Sequence, residues 1–278
     1  MPEVLTPRSQ PAIFYINLDA RTDRRQHIEG ELHRLGLTGE RMAAVTTDEA
    51  RQAGSTSMTM PELACSLSHR AIWQQIVDRG LPGALVLEDD AVLSADLPMA
   101  LEALGDRSNY DLVQLETMRA NPRLGPRVAL SDGTEIGRLM TSSPGAAGYY
   151  MTAEFAKRLL ARSDLNVHPV DDILTGRRLS TLYGNRIFQA VPALVVQLME
   201  LPSEADLARS DLSPSRDAVR RKKGRTLSRR IRALGANLFH AARTLASFGP
   251  TGELWRSSRV RIPIAADIRA RFPAAVEG

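Results

Sequence analysis

The chain has 278 residues, 43% of them hydrophobic and 24% charged, which fits a globular protein with one substantial domain and excludes a disordered or fibrous chain. A single cysteine, Cys65, rules out an internal disulfide, and no apolar run approaches the roughly 20 residues of a membrane-spanning helix. The net charge of +4 is split unevenly: residues 1–204 carry 20 Lys/Arg against 26 Asp/Glu, residues 205–278 carry 16 against 6, so an acidic body precedes a basic tail.

Ala12 to Leu18 reads as the first strand. Arg21 to Leu35 follows as a helix, with Ile28, Leu32 and Leu35 at helical spacing and Gly36 ending it. Asp19 and Asp23 interrupt any basic-then-apolar leader, so cytoplasmic residence is the default expectation. Met42 to Val45 reads as a second strand, and Pro61 opens a helix that runs to about Arg79. Gly83 to Leu87, all apolar, is a third strand expected to be buried on both faces. Asp111 to Leu115 is a fourth. Arg119 to Ser143 reads as irregular, with a hairpin turned at Ser131, Asp132 and Gly133. Ala146 to Thr152, helices from Ala153 to Ala161 and from about Val170 to Tyr183, and strands near Arg186 and Val191 complete the body. The alternation predicts an α/β domain over residues 1–204 with a mostly parallel central sheet, then a basic, largely helical extension over 205–278. The spaced glycines of a dinucleotide fingerprint are missing after the first strand, which argues against a nicotinamide or flavin enzyme.

The strongest local signal is Leu87-Glu88-Asp89-Asp90, three carboxylates directly after a buried strand, where open α/β sheets place ligands. Hard oxygen ligands crowded in this way suit Mg²⁺ or Mn²⁺, although an acidic turn capping a helix has the same composition. Near the amino terminus, Asn17 with Arg21, Arg24 and Arg25 offers contacts for base, ribose and phosphate, or else a solvated helix start with local ion pairs. Ser68 and His69 fall mid-helix beside Cys65, which without a second thiol is a poor metal ligand set. Gly148 and Tyr149 close a small-residue run suited to close ligand approach, and Asp171 and Asp172 stand at a helix start, where an Asp is commonly a cap.

Taken in order, N-L-x-x-R-x-D-R-R at Asn17 to Arg25, C-x-L-S-H at Cys65 to His69, L-E-D-D at Leu87 to Asp90, G-Y at Gly148 and P-V-D-x-x-L at Pro169 to Leu174 resemble glycosyltransferase family 25. That family includes lipooligosaccharide and collagen galactosyltransferases, and the resemblance spans about residues 11–200. Ala64 departs from it, standing where the family commonly has Gly. The resemblance implies a GT-A-like domain using Mn²⁺ or Mg²⁺ to transfer a sugar, galactose above others, from a UDP-sugar to a hydroxyl of a lipid-linked glycan. It implies Asp90 as principal metal ligand, Glu88 toward metal or ribose, and Asp89 in support. Asn17, Arg21, Arg24, Arg25, Ser68, His69, Gly148 and Tyr149 fall on the donor side. Asp171, with Asp172 as the alternative, becomes the general base of an inverting single displacement.

Two other classes of function remain open on the sequence. One is a glycoside hydrolase, which would not need the acidic triplet or the arginine-rich loop. The other is a silent sugar-nucleotide-binding or scaffold protein whose tail, with Arg220 to Lys223, follows nucleic-acid phosphates. In the tail, Leu227, Ile231, Leu234, Leu238 and Leu245 recur at helical spacing between arginines. That pattern suits peripheral attachment to an anionic membrane surface, or packing on the body or on another copy of the chain.

Overall fold

Two apolar runs make the centre of the molecule. Ala12–Asn17 (β1) and Gly83–Glu88 (β3) lie side by side in parallel, Ile13 opposite Leu85 and Ile16 opposite Glu88. Both are almost wholly buried, because helices cover the two faces on which their side chains alternate. The structure, a computed structural model, describes residues 10–53, 56–105, 109–131, 133–176, 181–201 and 227–273, residues 227–237 by their backbone alone.

Thr22–Arg34 (α1) follows β1 and ends at Gly36, whose φ of +65° suits glycine. Next come Glu40–Ala43 (β2), Thr47–Gln52 (α2) and Met60–Asp78 (α3). The two helices begin with capping boxes, Thr46 with Glu49 and Thr59 with Glu62, which satisfy their first free N–H groups. After β3 the chain forms Ala91–Leu93 (β4), Leu97–Gly105 (α4), Leu112–Gln114 (β5), Arg123–Ser131 (β6) and Thr134–Leu139 (β7). Gly148–Thr152 (β8), Ala153–Leu160 (α5), Val170–Thr175 (α6), Ile187–Val191 (β9) and Val195–Gln197 (β10) complete the body. The last elements are Leu227–Phe248 (α7), Ser258–Arg259 (β11) and Ala266–Arg271 (α8).

The main sheet has nine strands in the order β11-β6-β7-β9-β5-β8-β3-β1-β2. It is mixed, which corrects the expectation of a mostly parallel sheet. Parallel pairing holds for β1 with β2, β1 with β3, and β5 with β9, while the other five pairs are antiparallel. The reversal comes from β8, which inserts antiparallel between β3 and β5. Tyr15, Leu85, Val113 and Tyr150 pack with Ile28, Leu32 and Leu101 on one face, and Phe14, Val86, Tyr149 and Met151 pack with Ile72, Trp73 and Phe155 on the other.

Other boundaries also differ from expectation. The segment 119–143 contains the long antiparallel hairpin of β6 and β7, with Ser131 paired to Thr134, while Asp132 lies outside the described residues. Helix α6 stops at Thr175 instead of reaching Tyr183, because Gly176 is extended, at a place where a Cβ would stand 2.1 Å from the Asp172 carbonyl oxygen.

The boundary at 204/205 does not separate two bodies. Residues 205–226 lie outside the described residues, but Ile262, Ile264, Ala265 and Ile268 are buried in the same cores as the central strands, and β11 pairs with β6. Asp267 accepts hydrogen bonds from the Ser94 hydroxyl and the Ala95 N–H, and Arg271 pairs with the buried Glu31 of α1. Burial alone would raise the Glu31 pKa, but donors from Arg271, Arg34 and the Leu93 N–H hold it down at about 2.

Candidate active site

Because β1 and β3 are parallel neighbours, the residues that follow them emerge at one end of the sheet, and Asn17 meets the acidic triplet there. The Asn17 amide donates to Asp89 Oδ2 at 2.7 Å and to the Arg21 carbonyl at 3.0 Å, and its Oδ1 accepts from Arg41 Nε at 3.1 Å. Arg24, in the first turn of α1, is buried and places Nη1 3.1 Å from Asp89 Oδ1 and 3.4 Å from Asp90 Oδ2. A cation at a helix start is disfavoured by the dipole, and these two carboxylates compensate it.

The pair does not fully answer the negative charge. Burial, reinforced by Glu88 and Asp89 and opposed by Arg24, pushes Asp90 up to about 7, and its buried Oδ1 has no hydrogen-bond partner. Burial raises Asp89 as well, against the pull of Asn17 and Arg24. Asp89 is thus held by protein groups on both oxygens, while Asp90 keeps one oxygen uncommitted.

Helix α3 supplies the second wall. Cys65 and His69 are four residues apart and share one face. His69 is fully buried, with Nε2 3.2 Å from Glu88 Oε1 and Nδ1 2.9 Å from the Tyr149 hydroxyl, which accepts from Trp73 Nε1 at 2.8 Å. One proton arrangement satisfies every contact: Trp73 donates to Tyr149, Tyr149 to Nδ1, and Nε2–H to Glu88. The chain of donors thereby fixes the Glu88 carboxylate. Cys65 Sγ lies 3.8 Å from the same oxygen, and the three ligand atoms of Cys65, His69 and Glu88 fall within 4.8 Å of one another. That thiol–imidazole–carboxylate set suits a softer metal than Mg²⁺. Ser68 ties the wall to the strand side, accepting from the Val45 N–H at 2.8 Å and donating to the Ala64 carbonyl.

Beneath Gly145, which lines the cleft, lies a group with no counterpart in the sequence reading. Glu116 is fully buried just beyond β5, and its Oε1 accepts from the Ala147 N–H at 2.7 Å and from Gln114 Nε2 at 3.1 Å. Burial, reinforced by the charge of Glu88, raises its pKa well above the ordinary carboxylate range and so favours its uncharged form. Gly145 crosses directly over it at a φ of +111°, and a Cβ there would stand 2.4 Å from Glu116 Oε1.

These walls enclose a cleft of about 340 Å³ lined by Asn17, Arg24, Ser68, His69, Glu88, Asp89, Asp90 and Asp171, among others. Asp171, in the first turn of α6, lines it and Asp172 does not. Four residues expected on the donor side fall elsewhere among the described residues. Arg21 pairs with Asp23 and Arg25 with Glu29 at the surface, outside the lining. Tyr149 is buried inside the sheet, and Gly148 packs under Val195, where a Cβ would lie 2.6 Å from its side chain, so neither forms a sugar platform. Arg41, Thr46, Met118, Gln197 and Met199 belong to the site or its support and were not anticipated.

A model of glycosyltransferase family 25, described as LPS biosynthesis proteins, matches residues 10–174, which include every site residue above except Gln197 and Met199. The chain belongs to this family. Among its relatives, the lacto-N-neotetraose biosynthesis glycosyltransferase LgtE of Neisseria meningitidis is 27% identical over 259 residues, 84% of this chain and 89% of its own length. A glycosyltransferase 25 family member of Drosophila pseudoobscura pseudoobscura is 30% identical over 58% of this chain. The human inactive glycosyltransferase 25 family member 3 is 28% identical over the same share. The chain spans only 29% and 31% of these two animal relatives. With one relative named inactive, family membership alone does not carry activity, which must be argued from the site.

Proposed function

We propose that the cleft binds a UDP-sugar and transfers its sugar, galactose in the first instance, to a hydroxyl of a lipid-linked glycan with inversion, in a domain of GT-A type. The observation that carries this reading is Asp90: a buried carboxyl with an uncommitted oxygen, crowded by Glu88 at the end of a central strand, is what a divalent cation would satisfy. Glu88 and Asp90 would hold Mn²⁺ or Mg²⁺, and Asp89 keeps both in place through Asn17 and Arg24. When bound, the ion neutralises charge on the departing diphosphate.

The chain's own residues do the rest. Arg24 is the one arginine among the described cleft-lining residues and adds positive charge on the same side. The donor chain through Tyr149 and His69 holds Glu88 in one orientation, so the acidic group is pre-organised. Asp171 lines the cleft and would take the proton from the attacking acceptor hydroxyl, a contribution of roughly 10²–10⁴-fold. The likeness to LgtE and to the LPS biosynthesis family supports the acceptor class.

Melting curves with UDP-galactose, UDP-glucose and GDP-mannose, each with and without Mn²⁺, test the donor. A UDP-sugar should raise Tm only with the metal, since a ligand at about 100 times its Kd adds roughly 2.7 kcal/mol. No shift with any nucleotide sugar would remove the reading. Binding without turnover would favour a silent sugar-nucleotide-binding protein, the case that the inactive human relative brings forward.

A further inference from the structure

Over residues 238–248, whose side chains are described, helix α7 meets the body along one side. The Tyr183 hydroxyl donates to the His240 carbonyl at 3.3 Å, its ring lies beside Phe248, and both His240 and Phe248 are buried. The opposite side is bare: Leu238 is 65% exposed, Phe239 57% and Leu245 50%, and Trp255, just beyond the helix, is 73% exposed. These four are half of the eight large hydrophobic residues exposed among the described residues, so the exposure is concentrated and not scattered. Leu238 and Leu245 share one line of the helix, which the sequence positions Leu227, Ile231 and Leu234 continue toward its start. The same helix holds four arginines and no acidic residue, and Arg256, Arg259 and Arg261 are exposed beyond it.

We propose that this face docks on an anionic lipid surface. Leucine and phenylalanine side chains enter the boundary between head groups and acyl chains, Trp255 sits at that boundary, and the arginines meet the lipid phosphates. Charge selects this occupant over a second copy of the chain. The leucine line has the spacing of a coiled-coil seam, but a pairing helix identical to α7 brings four more arginines and no carboxylate to answer them. No helix of the described residues is long and apolar enough to cross a membrane, so the contact is peripheral. Docking needs no catalytic competence and stands apart from the transferase reading.

The two tryptophans make the test specific, since Trp73 is fully buried and Trp255 is 73% exposed. The 278-residue chain is mixed at about 0.1 M salt with vesicles of phosphatidylcholine containing about one quarter phosphatidylglycerol. The expected result is a blue shift of emission and an about twofold fall in acrylamide quenching, both absent with pure phosphatidylcholine and lost in Trp255→Phe. Replacing Leu238, Phe239 and Leu245 together by Glu should lower the sedimented fraction about tenfold while leaving the Trp73 emission of the folded protein. Unchanged emission with anionic vesicles, or a triple variant that sediments like the parent, overturns the proposal. So does a dimer mass by light scattering without lipid that disappears in the triple variant, which assigns the face to a second copy.

Discussion

Replacing Asp90 by Asn should stabilise the metal-free protein. In the unfolded chain this carboxyl ionises near 3.8, whereas in the fold burial and Glu88 push it up to about 7. A raised carboxyl is protonated without cost below the lower value and loses folding free energy as pH rises between the two. At pH 8 the ionised form costs at most about 4 kcal/mol, at 1.36 kcal/mol per tenfold displacement. Relaxation around a buried charge brings the expected gain to about 2 kcal/mol, or roughly 5 °C in Tm for a chain of this size. Asn keeps an oxygen for Arg24 and fills the same space without the charge that Glu88 opposes. Melting curves of wild type and Asp90→Asn in EDTA, at pH 5 and pH 8, measure the effect. The variant should gain stability at pH 8 and much less at pH 5, and Mn²⁺ should raise the Tm of the wild type alone. A variant less stable than wild type at pH 8 in EDTA would refute the picture of an uncompensated carboxylate.

Asp171→Asn should leave donor binding intact and lower the transfer rate at least about tenfold, whereas Asp172→Asn should have little effect, because only Asp171 lines the cleft; the reverse order in steady-state kinetics would move the base one residue along. Glu116→Gln should change Tm little, because burial already favours the uncharged form of Glu116 and the amide oxygen still accepts from Ala147. Glu116→Ala, which strands the Ala147 N–H, should cost about 2 kcal/mol in denaturant melts. Glu31 is depressed to about 2, so its contribution is complete above 4.5 and is lost as pH falls toward 2. Glu31→Gln should therefore cost about 2 kcal/mol at pH 7, with the difference from wild type shrinking as the pH is lowered to 3.

The acidic triplet and Asn17 were legible because each follows a run of apolar residues, and the end of a buried strand is a place where chain order and spatial position agree. Strand direction was not legible. A strand such as β8 that enters the middle of a sheet from a loop has the same alternation whether it runs parallel or antiparallel. Glu116 was missed for a similar reason: an acid two residues beyond a short strand reads as surface, and only the passage of Gly145 over it makes it buried. Tyr149 misled because a glycine-led aromatic suggests a platform, whereas its hydroxyl is consumed inside the sheet by Trp73 and His69. The C-terminal return was recoverable, since Val260, Ile262 and Ile264 alternate with Arg259, Arg261 and Pro263 in the period of a half-buried strand. The arginines around them drew the reading to charge instead.

The most direct test of the donor and metal assignment is turnover of UDP-galactose with a glycan acceptor, followed by UDP release, in Mn²⁺ and in EDTA, for wild type and Asp90→Ala. Release by wild type in Mn²⁺ alone, absent from a variant that still melts cooperatively, is the expected result. Full activity of Asp90→Ala with the metal requirement intact would contradict the assignment of the acidic triplet as the cation site.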